Sequence, residues 1–302
     1  MSTIPAAFCS LVDDAAIFPP GNAPLTEALS AHRAHRAAAY ADLVGPFVVG
    51  DVALPDLLEA IRAEGAAEPL AVAVVVTGGA GAIEPAVRWA TGAEELRLAA
   101  VELGLRDEQD LPRNARRVTT VVDQLRAAGD LGDDIPVYVE PPRVLGPHPA
   151  SSWLSALDEV AAMDLRLKFR TGGVTADAFP GTDELATCID AALDRELPFK
   201  CTAGLHNALR HRDAETAFDH HGFLNVLAAT RAALDGGSVP TVAEVLATAD
   251  AAAVRDALDT AGPDGLVSAR RWFTSFGSCS VLEPLEHLIE LDLLPDLPLE
   301  SA

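Results

Sequence analysis

The sequence predicts an α/β chain folded as a (β/α)8 TIM barrel. Three observations lead there. Eight short apolar runs alternate with stretches of helical periodicity along 302 residues. Several runs are near-continuous in Val, Ile, Leu and Ala, as parallel strands covered on both faces must be. The runs end in charged, hydroxyl or glycine residues, which is where a barrel of this kind presents its site.

The first run, residues 10–18, is interrupted by Asp13 and Asp14 and is the weakest strand. Residues 24–43 repeat apolar positions at i, i+3 and i+4 and read as a helix. The run 46–51 is strand two, followed by a helix over 53–65 that closes on Gly65. The run 70–79 is strand three. The glycine-rich stretch 78–85 lacks the G-x-G-x-x-G spacing of a dinucleotide-binding turn, which counts against the alternative of a doubly wound open sheet. Strands four, five, six and seven are read at 96–104, 135–142, 165–173 and 197–206, with helical patterns at 119–129, 152–163 and 182–197 between them. Strand eight is read at 272–280. The long connection 207–271 contains two more helical patterns, 218–237 and 241–258. It is expected to elaborate the seventh βα unit with helices near the barrel mouth, as a lid, an interface element or a packing layer. Residues 1–302 are expected to form one domain.

Hydrophobic residues make up 49% of the chain and charged residues 22%, a globular composition. The 45 acidic residues outnumber the 22 basic ones, for a formal net charge of -23. Such a surface repels phosphate backbones and anionic lipid, so neither nucleic acid nor a membrane is an expected partner. No apolar run approaches the ~20 residues of a membrane span. Cys9, Cys188, Cys201 and Cys279 lie far apart and read as free thiols of a reducing compartment. The first residues carry no basic segment of a secretory signal, and a cytoplasmic location is expected. The sequence allows a homo-oligomer without specifying one.

Within the basic residues, twenty are arginines and two are lysines, Lys168 and Lys200. Arginine serves as a surface cation but stays charged at working pH, so it cannot replace lysine where a neutral amine is needed. Both lysines fall at strand ends. Side-chain alternation places Arg166, Lys168 and Arg170 inside the barrel and Leu165, Leu167 and Phe169 outside. It likewise turns Lys200 and Thr202 inward, and Phe199 and Cys201 outward, where Cys201 is core. Glu102 shares a face with Leu98 and Ala100, and Glu140 with Tyr138. Arg166 would sit deep and needs a partner or the bottom rim. A desolvated lysine beside a second cation is disposed to lose its proton and attack a carbonyl, forming a Schiff base. Lys168 is the expected nucleophile and Lys200 its perturber, with Glu102, Glu140 and His206 as proton carriers. Arg170, Thr202, Asn207, Gly172, Gly173, Ser275, Gly277 and Ser278 are expected to hold the substrate. Cations gathered at the mouth of so acidic a chain favour a small anionic substrate. His206, His211, His220 and His221 could join carboxylates around a metal, but no HxH or HExxH spacing supports this. No metal and no cofactor is expected.

Three motifs carry a resemblance. Lys168-Phe-Arg-Thr171-Gly172 resembles the K-x-x-T-G strand of deoxyribose-phosphate aldolases and related class I aldolases, whose lysine forms the Schiff base. Lys200-Cys-Thr-Ala203-Gly204 is similar to that family's K-x-x-G-G segment, whose lysine perturbs the first. Phe276-Gly277-Ser278-Cys279-Ser280 is similar to its final-strand I-G-x-S-S segment, which helps bind phosphate. Ala203 departs from the family's glycine, and the interval before the last strand is longer than the family's. Glu102 or Asp51 could stand in for its proton-relay aspartate. The resemblance implies a barrel and a lyase of aldolase type. Two alternatives remain open: an isomerase, dehydratase or metal-assisted lyase that uses both lysines without a Schiff base, and a non-catalytic barrel that binds a small anion or serves in an assembly.

Overall fold

A computed structural model describes residues 4–65, 68–106, 109–146 and 148–297. The chain runs β1 (Val12–Asp14), α1 (Leu25–Ala37), β2 (Val44–Gly50), α2 (Leu54–Glu64), β3 (Leu70–Val76), α3 (Ile83–Thr91), β4 (Leu96–Gly104) and α4 (Leu111–Ala128). It continues with β5 (Val137–Glu140), α5 (Ser151–Ala161), β6 (Arg166–Arg170), α6 (Thr182–Leu193) and β7 (Phe199–Thr202). A small antiparallel hairpin, β8 (His211–Arg212) and β9 (Asp219–His220), precedes α7 (Phe223–Leu234), α8 (Val239–Ala247) and α9 (Ala251–Arg270). The last unit is β10 (Phe273–Ser278) and α10 (Leu282–Glu290).

The eight long-range strands close a parallel barrel in the order β1-β10-β7-β6-β5-β4-β3-β2. All eight apolar runs therefore contain a barrel strand, including the first. The two aspartates that seemed to interrupt β1 are both buried there, on opposite faces. Asp13 points into the barrel toward Lys200, while Asp14 points outward and its Oδ2 lies 2.9 Å from His32 Nδ1. Helices α3 and α10 complete units for which no helical pattern was read.

Outward side chains and the helices form one contiguous apolar core. A much smaller cluster of Val48, Ala73, Ala100 and Tyr138 lies inside the barrel. Leu98 belongs to the outer core and not to the face of Glu102, contrary to strict alternation. A register shift between β3 and β4, after the Val72–Leu98 pair, inserts a residue and reverses the parity. A second shift, between Phe273 and Phe276 where β10 meets β7, puts both phenylalanines outside and frees the intervening side chains for the interior.

The 207–271 segment is helical, but its helices do not gather at the mouth. Helix α7 packs on the barrel wall, where Phe223 stacks on Phe276 with ring centroids 5.0 Å apart. Helix α8 lies against α6 and α7, and α9 against α7 and the turn Ala6–Phe8 that precedes β1. Gly262, with φ 65°, and Pro263 break α9 into two pieces. Its end returns to the barrel's N-terminal side, where the Arg270 guanidinium donates to the carbonyls of Ala7, Cys9 and Phe273. Apolar faces on α8 and α9 required an outer layer, and the wall supplied it. The loop and hairpin between β7 and α7 connect the end of β7 to this layer.

That loop is pinned by His221. Its ring is fully buried, and Nε2–H donates to the Pro180 carbonyl at 2.8 Å. Burial pushes its pKa down to about 4. Between about pH 6.5 and 4 the unfolded chain binds a proton here that the folded chain refuses, so stability falls as pH drops through that window. The expected contribution is roughly 3 kcal/mol. Urea unfolding at pH 7 and pH 4.5 spans most of that window: the difference between the two should shrink by roughly 2 kcal/mol in His221→Leu.

Candidate active site

The barrel interior is lined by a chain of side chains alternating in sign. Lys168 and Lys200 lie side by side in register on β6 and β7. Both are almost fully buried. Lys200 Nζ is 2.5 Å from an oxygen of Asp13 and 2.5 Å from Glu102 Oε1. Glu102 Oε2 reaches Lys168 Nζ at 3.2 Å. Lys168 is also 3.0 Å from Glu140 Oε2, and the other oxygen of Glu140 accepts from Arg170 Nε at 2.8 Å. The sequence Asp13–Lys200–Glu102–Lys168–Glu140–Arg170 thus links β1, β7, β4, β6 and β5 through charged contacts.

Burial favours the neutral form of a charged group; at Asp13 it outweighs the pull of Lys200 and raises the carboxyl, while at Glu102, Glu140 and Lys200 the neighbours override it. Glu102 is pushed up by desolvation, but Lys200 and Lys168 beside it hold it down at about 2. Glu140 is likewise held low by Lys168 and Arg170 against its burial. Lys200 loses solvent, but the carboxylates of Asp13 and Glu102 raise it above the ordinary lysine range, so it is a fixed cation. Lys168 differs in its partners. It shares Glu102 with Lys200 and Glu140 with Arg170, so neither carboxylate is its own.

Supporting residues hold this chain in place. Ser275 Oγ donates to Asp13 Oδ2 at 2.7 Å. Gly45 on β2 leaves room for the same carboxylate: a Cβ there would stand 2.1 Å from Asp13 Oδ1. Tyr138 forms the floor, with Lys200 Nζ 5.4 Å from its ring centroid, a cation–π distance. Arg166, which needed a partner, gives NH1 to the Tyr138 hydroxyl at 3.2 Å and stacks its guanidinium carbon 5.7 Å from the ring.

Above the chain lies a cavity of about 310 Å³. Glu102, Lys168, Arg170, Gly173, Lys200, Thr202, His206 and Gly277 line it, as the sequence led one to expect. Glu140 stands behind Lys168 and Arg170. Ser275 lies beneath, against Asp13. Three expected residues do other work. Asn207 does not reach the cavity: its amide nitrogen lies 2.9 Å from His211 Nδ1 and its carbonyl accepts from Phe223 N–H, because the chain turns away after His206. Gly172 packs against Gly204, whose Cα would be 2.9 Å from an added Cβ, so this glycine serves strand contact. Ser278 is buried, receives the Ser280 N–H and sits 3.4 Å from His206 Nδ1. Ala203, where the resembling family has glycine, adopts φ 61°. The Thr171 hydroxyl holds it by donating to its carbonyl.

His206 Nδ1 lies 3.0 Å from Glu283 Oε2 in the first turn of α10, and Nε2 is 3.7 Å from Cys279 Sγ. Burial works against its charge, but the hydrogen bonds to Cys279 and Glu283 raise it to about 9. Its stabilising contact is present in full below about pH 6.5 and is lost as pH rises through about 9. At neutral pH it is a cation held by Glu283. Cys201 is fully buried in the outer core, as expected, and burial pushes its thiol up.

Gly45, Cys279 and Glu283 were not read as site residues, and Asp13 was read as a strand-end charge without a role. For Asp13 the signal was available: an acidic residue inside an apolar strand must be paired if that strand is buried. Glu283 meets His206 across 77 positions, and no local pattern announces it. Among the described residues, no group of three or more His, Cys, Asp or Glu side chains is placed to hold a metal ion. No helix among them is long and apolar enough to cross a membrane. No family model and no curated protein matches the chain.

Lys200→Ala leaves Asp13 and Glu102 buried without their shared cation and should cost about 3–5 kcal/mol in a denaturant titration. Gly45→Ala should cost about 1–3 kcal/mol by forcing the Asp13 carboxylate aside. Both being in one network, the double variant should lose less than the sum of the two.

Proposed function

We propose that the chain is a class I lyase of aldolase type, acting on a small carbonyl compound through a Schiff base on Lys168. One observation carries the reading. Lys168 Nζ stands at the base of a cavity while sharing both of its carboxylates with another basic side chain. Its proton has two acceptors in hydrogen-bond range, and removing it leaves Glu102 and Glu140 still paired, with Lys200 and Arg170. The free amine adds to the substrate carbonyl carbon. Loss of water from the adduct gives the protonated imine, which draws in the electron pair of the neighbouring carbon–carbon bond as that bond breaks. Glu102 or Glu140 takes the proton of the hydroxyl on the far carbon, whose oxygen becomes the carbonyl of the first product as it leaves, and the same group returns that proton to the enamine carbon. Water then releases the second product and restores the amine. Lys200 holds Glu102 in position and supplies a constant positive charge.

Borohydride reduction in the presence of a panel of aldehydes and ketones tests the reading. A mass increase mapped to Lys168 is the expected result. Lys168→Arg keeps a cation for Glu102 and Glu140 but has no amine to react, so adduct and turnover should fall by several orders of magnitude while the fold persists. No adduct at either lysine across the panel overturns the proposal.

A further inference from the structure

Resting on the Schiff-base reading of the same site, we propose that the substrate is an uncharged carbonyl compound with a short apolar arm, carrying neither phosphate nor carboxylate. The expectation of an anion came from cations gathered at the mouth. In the fold, each of them is already paired within the chain. Lys200 has Asp13 and Glu102, Lys168 has Glu102 and Glu140, Arg170 has Glu140, and His206 has Glu283. Four carboxylates face four basic side chains, so among the described residues that line the cavity no positive charge is without a carboxylate.

The covalent step keeps that balance only for a neutral substrate. A protonated imine carries the same single positive charge as the lysine ammonium it replaces. Glu102 and Glu140 therefore stay matched while the neutral carbonyl compound is bound. A carboxylate or phosphate would add charge that nothing in the cavity offsets.

The eighth βα connection supports this directly. Barrels of this architecture often hold phosphate at the loops after their last two strands. Here the first turn of α10 presents Glu283 to that place, with its carboxylate on His206. The chain has filled the position with its own anion, and a phosphate would meet it at close range. At longer distance the net charge of -23 also opposes anions, within a screening length of about 8–10 Å.

The cavity is two-sided. Its amines and hydroxyls come from β6 and β7, while Ala15, Phe18, Pro19, Val48 and Val75 form an apolar wall from the ends of β1, β2 and β3. That wall fits a hydrocarbon arm. Arg170 gives only Nε to Glu140, so its terminal N–H groups can donate to a hydroxyl or carbonyl oxygen.

Three aldehydes of similar length separate the cases: butanal, succinic semialdehyde and the phosphate ester of hydroxypropanal. Reductive trapping at Lys168 should saturate with butanal at a concentration at least about tenfold below that of either anion. Tighter trapping of either anion overturns the proposal. Absence of adduct with all three overturns the Schiff-base reading instead. The charge preference is then read by calorimetry with the corresponding alcohols, where tighter binding of a charged one overturns it and of the neutral one upholds it. Glu283→Gln, at a half-exposed position, should narrow the discrimination against the phosphate ester by about tenfold. An unchanged ratio overturns the role given to Glu283.

Discussion

Two primary amines buried side by side set the terms for this barrel. Neighbouring positions on β6 and β7 put Lys168 and Lys200 into one interior, where an unpaired ammonium costs several kcal/mol. Carboxylates must therefore reach them, and the barrel supplies one each from β1, β4 and β5. Much else follows from delivering those carboxylates. Gly45 opens space for Asp13, Ser275 donates to the same carboxylate oxygen that Lys200 contacts, and Tyr138 closes the floor beneath Lys200. The register shift in β4 turns Glu102 inward despite an outward Leu98. The same contacts that pair the buried amines also tie five strands of the barrel to one another, so site and fold share one set of interactions.

The order of the groups matters as much as their number. In an alternating chain, each interior member has two neighbours of opposite sign. Removing charge from one member leaves a neighbour with one partner instead of none only where that neighbour is itself interior to the chain. Lys168 is the member for which both neighbours have a second cation, and it lines the cavity with Lys200, Glu102 and Arg170. Lys200 lies between two carboxylates, one of which has no other cation beside it, and it is held at a raised pKa by both. On the proposed reading, reactivity and fixed charge are divided between two residues of the same type by their position in the chain.

The barrel was legible because periodicity is a local property. All eight strands could be read from runs of apolar residues, and parity on β6 and β7 turned the correct side chains inward. Parity failed where one residue was inserted, at Leu98, because a bulge leaves no mark in composition. The helices of 207–271 were legible as helices but not in place, since amphipathicity reveals an apolar face without saying what covers it. Lys168, Lys200, Glu102 and Arg170 were readable as strand-end charges. Asn207 lies one position beyond His206 and was expected at the site for that reason, yet the backbone turns it toward His211. The pairing of His206 with Glu283 joins β7's loop to α10, and that distance in sequence is what hid it.

The composition acquires a sharper meaning from this geometry. Twenty basic residues are arginine, and most of those described bridge carboxylates or carbonyls near the surface, where a planar fork serves well. Neither interior lysine could be exchanged on the same terms, and the obstacle differs. Lys200 needs a compact ammonium: its single nitrogen fits between Asp13 and Glu102 over the Tyr138 ring, where a guanidinium would need the volume of three nitrogens. Lys168 has the open cavity above it, and size alone would admit arginine there. What arginine lacks at that position is a nitrogen that can give up its proton and bond to carbon. Steric need thus accounts for one lysine of the pair, and the proposed Schiff base would account for the other.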